Sequence, residues 1–228
     1  SPLPFLGPQR KTPPALSVEQ LQQLDAVVIS HNHYDHLDDA TIRRILKRFP
    51  DVTLFVPLGL AVWFRRRGAR RIVELDWWQS FTWQGITLSA VPAQHWSMRT
   101  LWNRNRSLWC GWVFEGRHHR FWFSGDTGYS PELLLIPERL GQIDVAALPV
   151  GAYAPRWFMA VHHMDPQSAV ALWQQLGCPL AFPVHWGVFE LADEALDDPI
   201  KELTDVLDNV ASVNNPFRIL KIGEYLPL

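Results

Sequence analysis

Residues 30–38 read Ser-His-Asn-His-Tyr-Asp-His-Leu-Asp, so four side chains able to hold a metal ion (His31, His33, Asp35 and His36) fall within six residues. In an extended segment, residues two apart point the same way, and His31 and His33 can grip one ion together. The chain then turns, which aims Asp35 and His36 elsewhere and leaves them placed for a second ion. One histidine on a polar loop says nothing; four ligands at this spacing directly behind an apolar run point to metal. Three further candidates each close an apolar run: His95 after residues 88–94, Asp126 after 121–125, and His185 after Leu180–Val184. Gly125 and Gly128 allow a tight turn around Asp126. Together these are seven nitrogen and oxygen donors of the kind that suit zinc, iron or manganese.

Such donors work as a set only if strands bring their ends to one edge, as happens at active sites of α/β folds. Short apolar runs predict strands at 25–30, Thr53–Pro57, two or three within 71–91, a hairpin over 108–114 and 120–124, and strands at 144–150 and Leu180–Val184. Asp38 can cap a helix that carries Ile42, Ile45, Leu46 and Phe49 on one face and stops at Pro50. A second helix is expected over 58–68. Asp165 at N-cap, Pro166 in the first turn and Gly177 past the end punctuate another, striped by Ala169, Leu172, Trp173 and Leu176. Asp198-Pro199 opens the last one, with Ile200, Leu203, Val206, Leu207 and Val210. Strands and helices alternate throughout, the pattern of an α/β domain. Residues 1–14 hold five prolines and no apolar period. They read as an extended arm, giving an N-terminal arm over 1–23 and a hydrolase domain over 24–228.

Composition narrows the function classes. The 228 residues are 47% hydrophobic and 19% charged, which excludes a disordered tail. A net charge of −2 gives no reason to expect nucleic acid as a partner. Cys110 and Cys178, the two cysteines, lie far apart and cannot build a cysteine-based zinc site. No apolar run approaches the roughly 18 residues of a membrane span, and no secretory signal is present, so a cytoplasmic or peripheral membrane location is expected. The chain starts at Ser1, which reads as a processed or excised piece. Twelve tryptophans imply large aromatic surfaces in the core or around a pocket.

The pattern His31-Asn32-His33-Tyr34-Asp35-His36 resembles the HxHxDH signature of the metallo-β-lactamase fold. The stretches 92–96 (Pro-Ala-Gln-His-Trp), 124–129 (Ser-Gly-Asp-Thr-Gly-Tyr), 151–159 (Gly-Ala-Tyr-Ala-Pro-Arg-Trp-Phe-Met) and 185–187 (His-Trp-Gly) are similar to the N-acylphosphatidylethanolamine-hydrolysing phospholipase D branch. The resemblance implies an αββα sandwich. It also implies that strands of the first sheet, with a Gly-His pair and a later Asp-Pro, precede the histidine motif. Neither stands ahead of His31, so a first sheet lacking its N-terminal strands is expected, with an edge open to a second chain such as a homodimer partner.

The same resemblance implies two divalent ions, zinc first with iron or manganese as alternatives. His31, His33 and His95 would hold one, Asp35, His36 and His185 the other, and Asp126 would bridge them. The implied reaction is phosphodiester hydrolysis of phospholipase D type, in which a metal-activated water attacks phosphorus. Asp35, Asp126 and His163 are the candidate catalytic residues, His163 as a phosphate contact or general acid; His162 is read as a bystander. Arg99, Arg104 and Arg106, interleaved with Trp96, are candidate contacts to an anionic headgroup, as are Tyr153 and Arg156 in the 151–159 stretch. The substrate expected is a phospholipid or other phosphodiester, with peripheral association at a membrane compatible with it. A metal-dependent lactonase and a metal-binding fragment without turnover are the alternative readings.

Overall fold

The computed structural model describes residues 7–210 and 216–226; residues 1–6 of the proline-rich arm lie outside the described residues. Strands β1 (Ala26–Val28), β2 (Thr53–Pro57) and β3 (Arg71–Leu75) form a parallel sheet in that order. Strands β4 (Ser80–Trp83), β5 (Ile86–Val91), β6 (Gly111–Glu115), β7 (Arg120–Phe123), β8 (Val145–Pro149) and β9 (Leu180–Val184) form a second sheet, also in sequence order. The first four meander antiparallel, and β7, β8 and β9 run parallel. Parallel neighbours need crossovers. α3 (Leu135–Leu140) supplies the first, and the short α4 (Arg156–Met159) with α5 (Pro166–Gln175) the second.

Alternation along the strands sorts side chains between layers. All of β2 is buried, which requires cover on both faces. Leu54 and Val56 pack with Ile42, Ile45 and Leu46 of α1 (Asp39–Arg48) and with Phe64 of α2 (Ala61–Arg65). Phe55 turns the other way and meets Leu88, Ala90 and Trp112 of the second sheet. The far face of that sheet, with Val113, Trp122 and Leu148, packs on Ile136, Leu172 and Trp173, and on Leu203 of α6 (Asp198–Asp208). The layers are therefore helix, sheet, sheet, helix, the αββα sandwich.

The helix signals act as the sequence implies. The Asp38 carboxylate accepts from the Thr41 amide at 2.8 Å, and that of Asp165 from the Ser168 amide at 2.8 Å. α2 is shorter than the 58–68 expected, because Gly59 turns the chain at φ +90°, where a Cβ would stand 2.9 Å from the Arg106 carbonyl oxygen, before the helix can begin. The tryptophans divide. Trp112, Trp122 and Trp173 are fully buried, whereas Trp102 and Trp157 are 84% and 85% exposed. Among the described residues, no helix is long and apolar enough to cross a membrane.

Strand direction explains where the site must be. β5 and β7 both run antiparallel to β6, so they run the same way, and β8 and β9 follow β7. The C-terminal ends of β5, β7, β8 and β9 thus share one edge. The end of β1 is tied to that edge by two bonds: the Trp112 indole donates to the Ile29 carbonyl at 2.9 Å, and the Cys110 amide to the Ser30 carbonyl at 2.9 Å.

Candidate metal centre

The loops after β1, β5, β7 and β9 carry the predicted donors at this edge. The loop after β1 turns at His33, whose carbonyl accepts from the amides of His36 and Leu37. Leu37 is fully buried and anchors its far end. The loop after β7 bends at Gly125, which has φ +63° and whose missing Cβ would stand 2.8 Å from Cβ of Ser30. Gly128 serves differently from the turn expected of it. A Cβ there would meet the Val161 carbonyl oxygen at 2.5 Å, so its role is close approach. Thr127 accepts from the Gln94 amide at 2.8 Å and its carbonyl accepts from Met164, which knits the segments bearing His95, Asp126 and His163 together. His185 takes φ +61°, a left-handed conformation unusual for a residue with a side chain.

The seven donors predicted from the sequence come together at this edge. Nε2 of His31 lies 3.0 Å, and Nε2 of His95 3.1 Å, from Nδ1 of His33. Beside them, Nε2 of His36 stands 3.0 Å from Asp35 Oδ2 and 2.9 Å from Asp126 Oδ2. Nε2 of His185 is 3.4 Å and 3.2 Å from the same two oxygens. Asp126 Oδ2 also lies 3.8 Å from His31 Nε2 and 3.9 Å from His95 Nε2, between the two groups. His33 presents Nδ1 and the other four histidines Nε2, a choice that spacing in the sequence does not express.

Backbone carbonyls orient the rings. Nδ1 of His95 donates to the carbonyl of His162 at 3.1 Å, and Nδ1 of His185 to that of Gly151 at 3.3 Å. A carbonyl only accepts, so the proton sits on Nδ1 and Nε2 faces the cluster. Ser30 Oγ is 3.0 Å from Nδ1 of His31 and orients that ring. The sequence offers no signal for the His162 and Gly151 carbonyls, since any residue type supplies one.

Charge separates the groups. Burial lowers His31 well below the usual imidazole range, and takes His33 to about 4 and His95 to about 3, so all three are neutral. Burial would raise Asp126 and Asp35, but the imidazoles of His185 and His36 outweigh it and hold both carboxyls well below the usual carboxylate range. Reciprocally, burial lowers His36 and His185, and the two carboxylates overcome it and raise them.

This arrangement fits metal. Donors about 2.1 Å from one tetrahedral ion stand about 3.4 Å apart, and the pairs here span 2.9–3.9 Å. His36 Nε2 is close to two carboxylates yet makes no hydrogen bond of acceptable direction. Ring nitrogens that face one another across 3.0 Å repel unless a proton or a cation stands between them.

The remaining predicted residues are placed as follows. The His163 ring lies 5.4 Å from that of His185, nearly parallel, and 5.1 Å from that of His95. Its Nδ1 is buried without a partner, and burial lowers it to about 4. Arg156 pairs with Asp165 at 2.9 Å and donates to the His163 carbonyl at 2.9 Å, so it braces that residue's turn. Tyr153 is buried, its hydroxyl donating to Glu202 at 2.5 Å. Arg99 faces the histidine loop, with Nη1 on the carbonyls of Asn32 and Leu37. Trp96 lies against His33, ring centroids 4.4 Å apart, and Arg104 lies over the Trp96 ring at 5.1 Å. Arg106 lines none of the cavities that reach the cluster.

Asp35, His36, Asp126 and His185 floor a pocket of about 230 Å³ whose walls include Trp186, Phe189 and Leu191. Asp35 also borders a second opening towards Trp96 and Leu101. Arg10, from the proline-rich arm, lines the first pocket. Nothing in the composition of the arm pointed to it.

A model of the beta-lactamase superfamily domain matches residues 2–186. An N-acyl-phosphatidylethanolamine-hydrolyzing phospholipase D 1 of Caenorhabditis elegans is 38% identical over 96% of this chain and 65% of its own length. A mitochondrial N-acyl-phosphatidylethanolamine-hydrolyzing phospholipase D of Saccharomyces cerevisiae is 33% identical over 87% of this chain and 44% of its own length. The chain thus spans between about two fifths and two thirds of these relatives. The isothiocyanate hydrolase from Delia radicum gut bacteria shares the fold, with a TM-score of 0.73 at 18% identity over 93% of this chain and 80% of that one.

Proposed function

The chain belongs to the beta-lactamase superfamily domain family, and from that premise we propose that it hydrolyses phosphodiesters with two bound divalent ions, its substrate being an N-acylphosphatidylethanolamine-like phospholipid. The observation that carries the reading is the position of Asp126 Oδ2, within 4 Å of ring nitrogens from both histidine groups. We assign His31, His33 and His95 to one ion, Asp35, His36 and His185 to the other, and Asp126 to both, with zinc ahead of iron and manganese. The names of two relatives at 38% and 33% identity support the substrate class.

Bound there, the ions supply a water of lowered pKa and positive charge for phosphoryl oxygens. The protein's own residues do the rest. Asp35 and Asp126, held as carboxylates by His36 and His185, would serve the ions as charged ligands, and the protons displaced from the two imidazoles would leave to solvent. His163, neutral at pH 7, donates a hydrogen bond to a phosphoryl or leaving oxygen; its low pKa suits a neutral donor better than a general acid. Trp186, Phe189 and Leu191 shield the pocket from water and take the apolar part of the substrate. The exposed Leu101, Trp102 and Trp157 suit contact with a lipid surface.

The test is metal content by mass spectrometry on protein purified without chelator, followed by assay on N-acylphosphatidylethanolamine in mixed micelles and on a neutral lactone. About two ions per chain and release of an N-acylethanolamine are expected. Folded protein with less than one ion, or one that opens the lactone and leaves the diester intact, would overturn the reading.

A further inference from the structure

Residues 10–12 of the arm are bonded to the chain beside the site. The Lys11 amide donates to the Val188 carbonyl at 2.8 Å, the Thr12 hydroxyl to the Gly187 carbonyl at 2.6 Å, and Lys11 Nζ pairs with Glu190 at 2.9 Å. Residues 10–12 are therefore laced along the loop that follows His185. This brings Arg10 to the wall of the pocket floored by Asp35, His36, Asp126 and His185, and to the adjoining cavity bordered by Tyr34 and Asp35. Its guanidinium lies over the Phe189 ring, 5.1 Å from the centroid.

Arg10 is unlike the other arginines near the site. Arg99 is spent on the carbonyls of Asn32 and Leu37, and Arg156 on Asp165 and His163. Among the described residues, Arg10 makes one polar contact, to the Thr12 carbonyl at 3.2 Å, and no carboxylate comes within 4.0 Å of it. Most of the five donors of its guanidinium fork remain available. Its backbone is fixed and its plane is supported by an aromatic ring, so little freedom is lost when it binds.

We propose that Arg10 selects anionic substrates at this site by donating to the charged phosphoryl oxygens of a diester while Phe189 and Leu191 hold the apolar group beside them; this rests on the phosphodiesterase reading above. A planar fork matches two phosphoryl oxygens, which a neutral ester or lactone does not offer. Arg10 touches substrate in this account and is a specificity-determining residue, not a ligand of the ions.

The test uses the metal-loaded chain, with Arg10→Ala, Arg10→Lys and, as a charge control, Lys47→Gln on the exposed side of α1. Two chromogenic substrates share a phosphorus centre and differ in charge: bis(4-nitrophenyl) phosphate, an anion, and diethyl 4-nitrophenyl phosphate, which is neutral. Dimethyl phosphate binding, followed by tryptophan fluorescence, gives a readout independent of turnover. Arg10→Ala is expected to raise KM for the anion and weaken dimethyl phosphate binding by about tenfold, the scale of a lost hydrogen bond to a charged group. Its kcat, and both constants for the neutral triester, should stay within about twofold. Arg10→Lys should recover part of the loss, and Lys47→Gln should change the anion's KM by less than about twofold. Equal losses on both substrates would reduce Arg10 to a strut of the loop, and no change on either would remove it altogether. A wild-type chain that binds dimethyl phosphate but cleaves no diester would overturn the phosphodiesterase reading and leave the binding comparison to decide on Arg10. One that does neither overturns both.

Discussion

The guanidinium of Arg99 donates to the carbonyl of Asn32 at 2.9 Å across 67 residues of sequence, and the same nitrogen reaches the Leu37 carbonyl at 2.5 Å. It therefore spans the two ends of the loop that carries His33, Asp35 and His36. Its plane lies 4.1 Å from the Tyr34 ring, and burial lowers its pKa, so the charge is held there against desolvation.

Arg99→Ala should cost about 2–3 kcal/mol of stability, since two charge-assisted hydrogen bonds to backbone are lost. Metal affinity should fall about tenfold as the loop loosens. Arg99→Lys should recover less than half, because an ammonium cannot serve both carbonyls and stack on Tyr34. Thermal melts in chelator and zinc competition titrations measure the two effects separately. A folded Arg99→Ala variant with unchanged metal affinity would show that the loop does not need this brace.

Asp126→Asn keeps the shape of the side chain and removes its charge. His36 and His185 then lose the carboxylate nearest to both of them. Bound metal is expected to fall below about one ion per chain, and hydrolysis by more than about a hundredfold. Full metal content in this variant would refute the bridging assignment.

His163→Ala should leave metal content intact while kcat falls about a hundredfold, the loss seen when a preorganised donor is removed. Burial already holds this imidazole neutral at pH 7, with a value of about 4. The pH–rate profile above pH 6 should therefore keep its shape. Arg156→Ala should reproduce part of the loss, because it frees the His163 carbonyl. A drop in bound metal would instead make His163 a ligand, a role its proximity to His95 and Asp126 permits.

Removing the metal should expose a pH dependence with a definite sign. His33 and His95, at about 4 and about 3 in the folded chain, lie below the 6.5 of an exposed imidazole. As pH falls below about 6.5 the unfolded chain takes up protons that the folded chain refuses. Stability should decline from about pH 6.5 to about pH 4, by up to about 1.4 kcal/mol per unit for each group. His36 and His185 act in the opposite sense: burial lowers them, but Asp126 and Asp35 outweigh it and raise them. Their contribution is complete below about pH 6.5 and is lost as pH rises through their raised values. Melting temperature in chelator should peak near about pH 6–7. A melting temperature that climbs steadily from pH 6.5 to pH 4.5 would contradict the neutral state of His33 and His95.

What the sequence made legible was governed by local rules. Thr53–Pro57 and Leu180–Val184 form strands over the ranges expected, because short β-branched and apolar runs bounded by turns have few alternatives. Asp38 and Asp165 cap their helices because a carboxylate three residues before an amide has an obvious partner. The seven donors were legible because four cluster directly behind one apolar run and the other three each close a run of their own. The fate of the arginines was not. Whether Arg99 meets substrate or Asn32 depends on how a loop folds back over 67 residues, and composition is blind to that. Arg10 was hidden for the same reason, since its meaning comes from Val188 and Gly187, far away in the chain. Gly128 was read as a turn glycine when its constraint is the Val161 carbonyl.

Gly151 makes the sharpest test of how the backbone holds a ligand. A Cβ there would stand 2.1 Å from the His185 carbonyl oxygen, closer than any packing allows, so Gly151→Ala must push the two segments apart. The push also breaks the bond from His185 Nδ1 to the Gly151 carbonyl, which fixes the ring's tautomer. His185 sits at φ +61° and cannot follow the shift by relaxing along its own backbone without leaving the left-handed region. The variant should lose about 2–3 kcal/mol of stability through overpacking. Bound metal should fall by up to about one ion per chain, because the group containing His185 is damaged and the trio of His31, His33 and His95 is not. Gly177→Ala is the control: that glycine has φ +81° but open space around its missing Cβ. It should lose about 1–2 kcal/mol from backbone strain alone and keep its metal. Metal counts and thermal melts on both variants separate the effects. Equal metal content would mean that His185 is positioned by something other than its fit against Gly151.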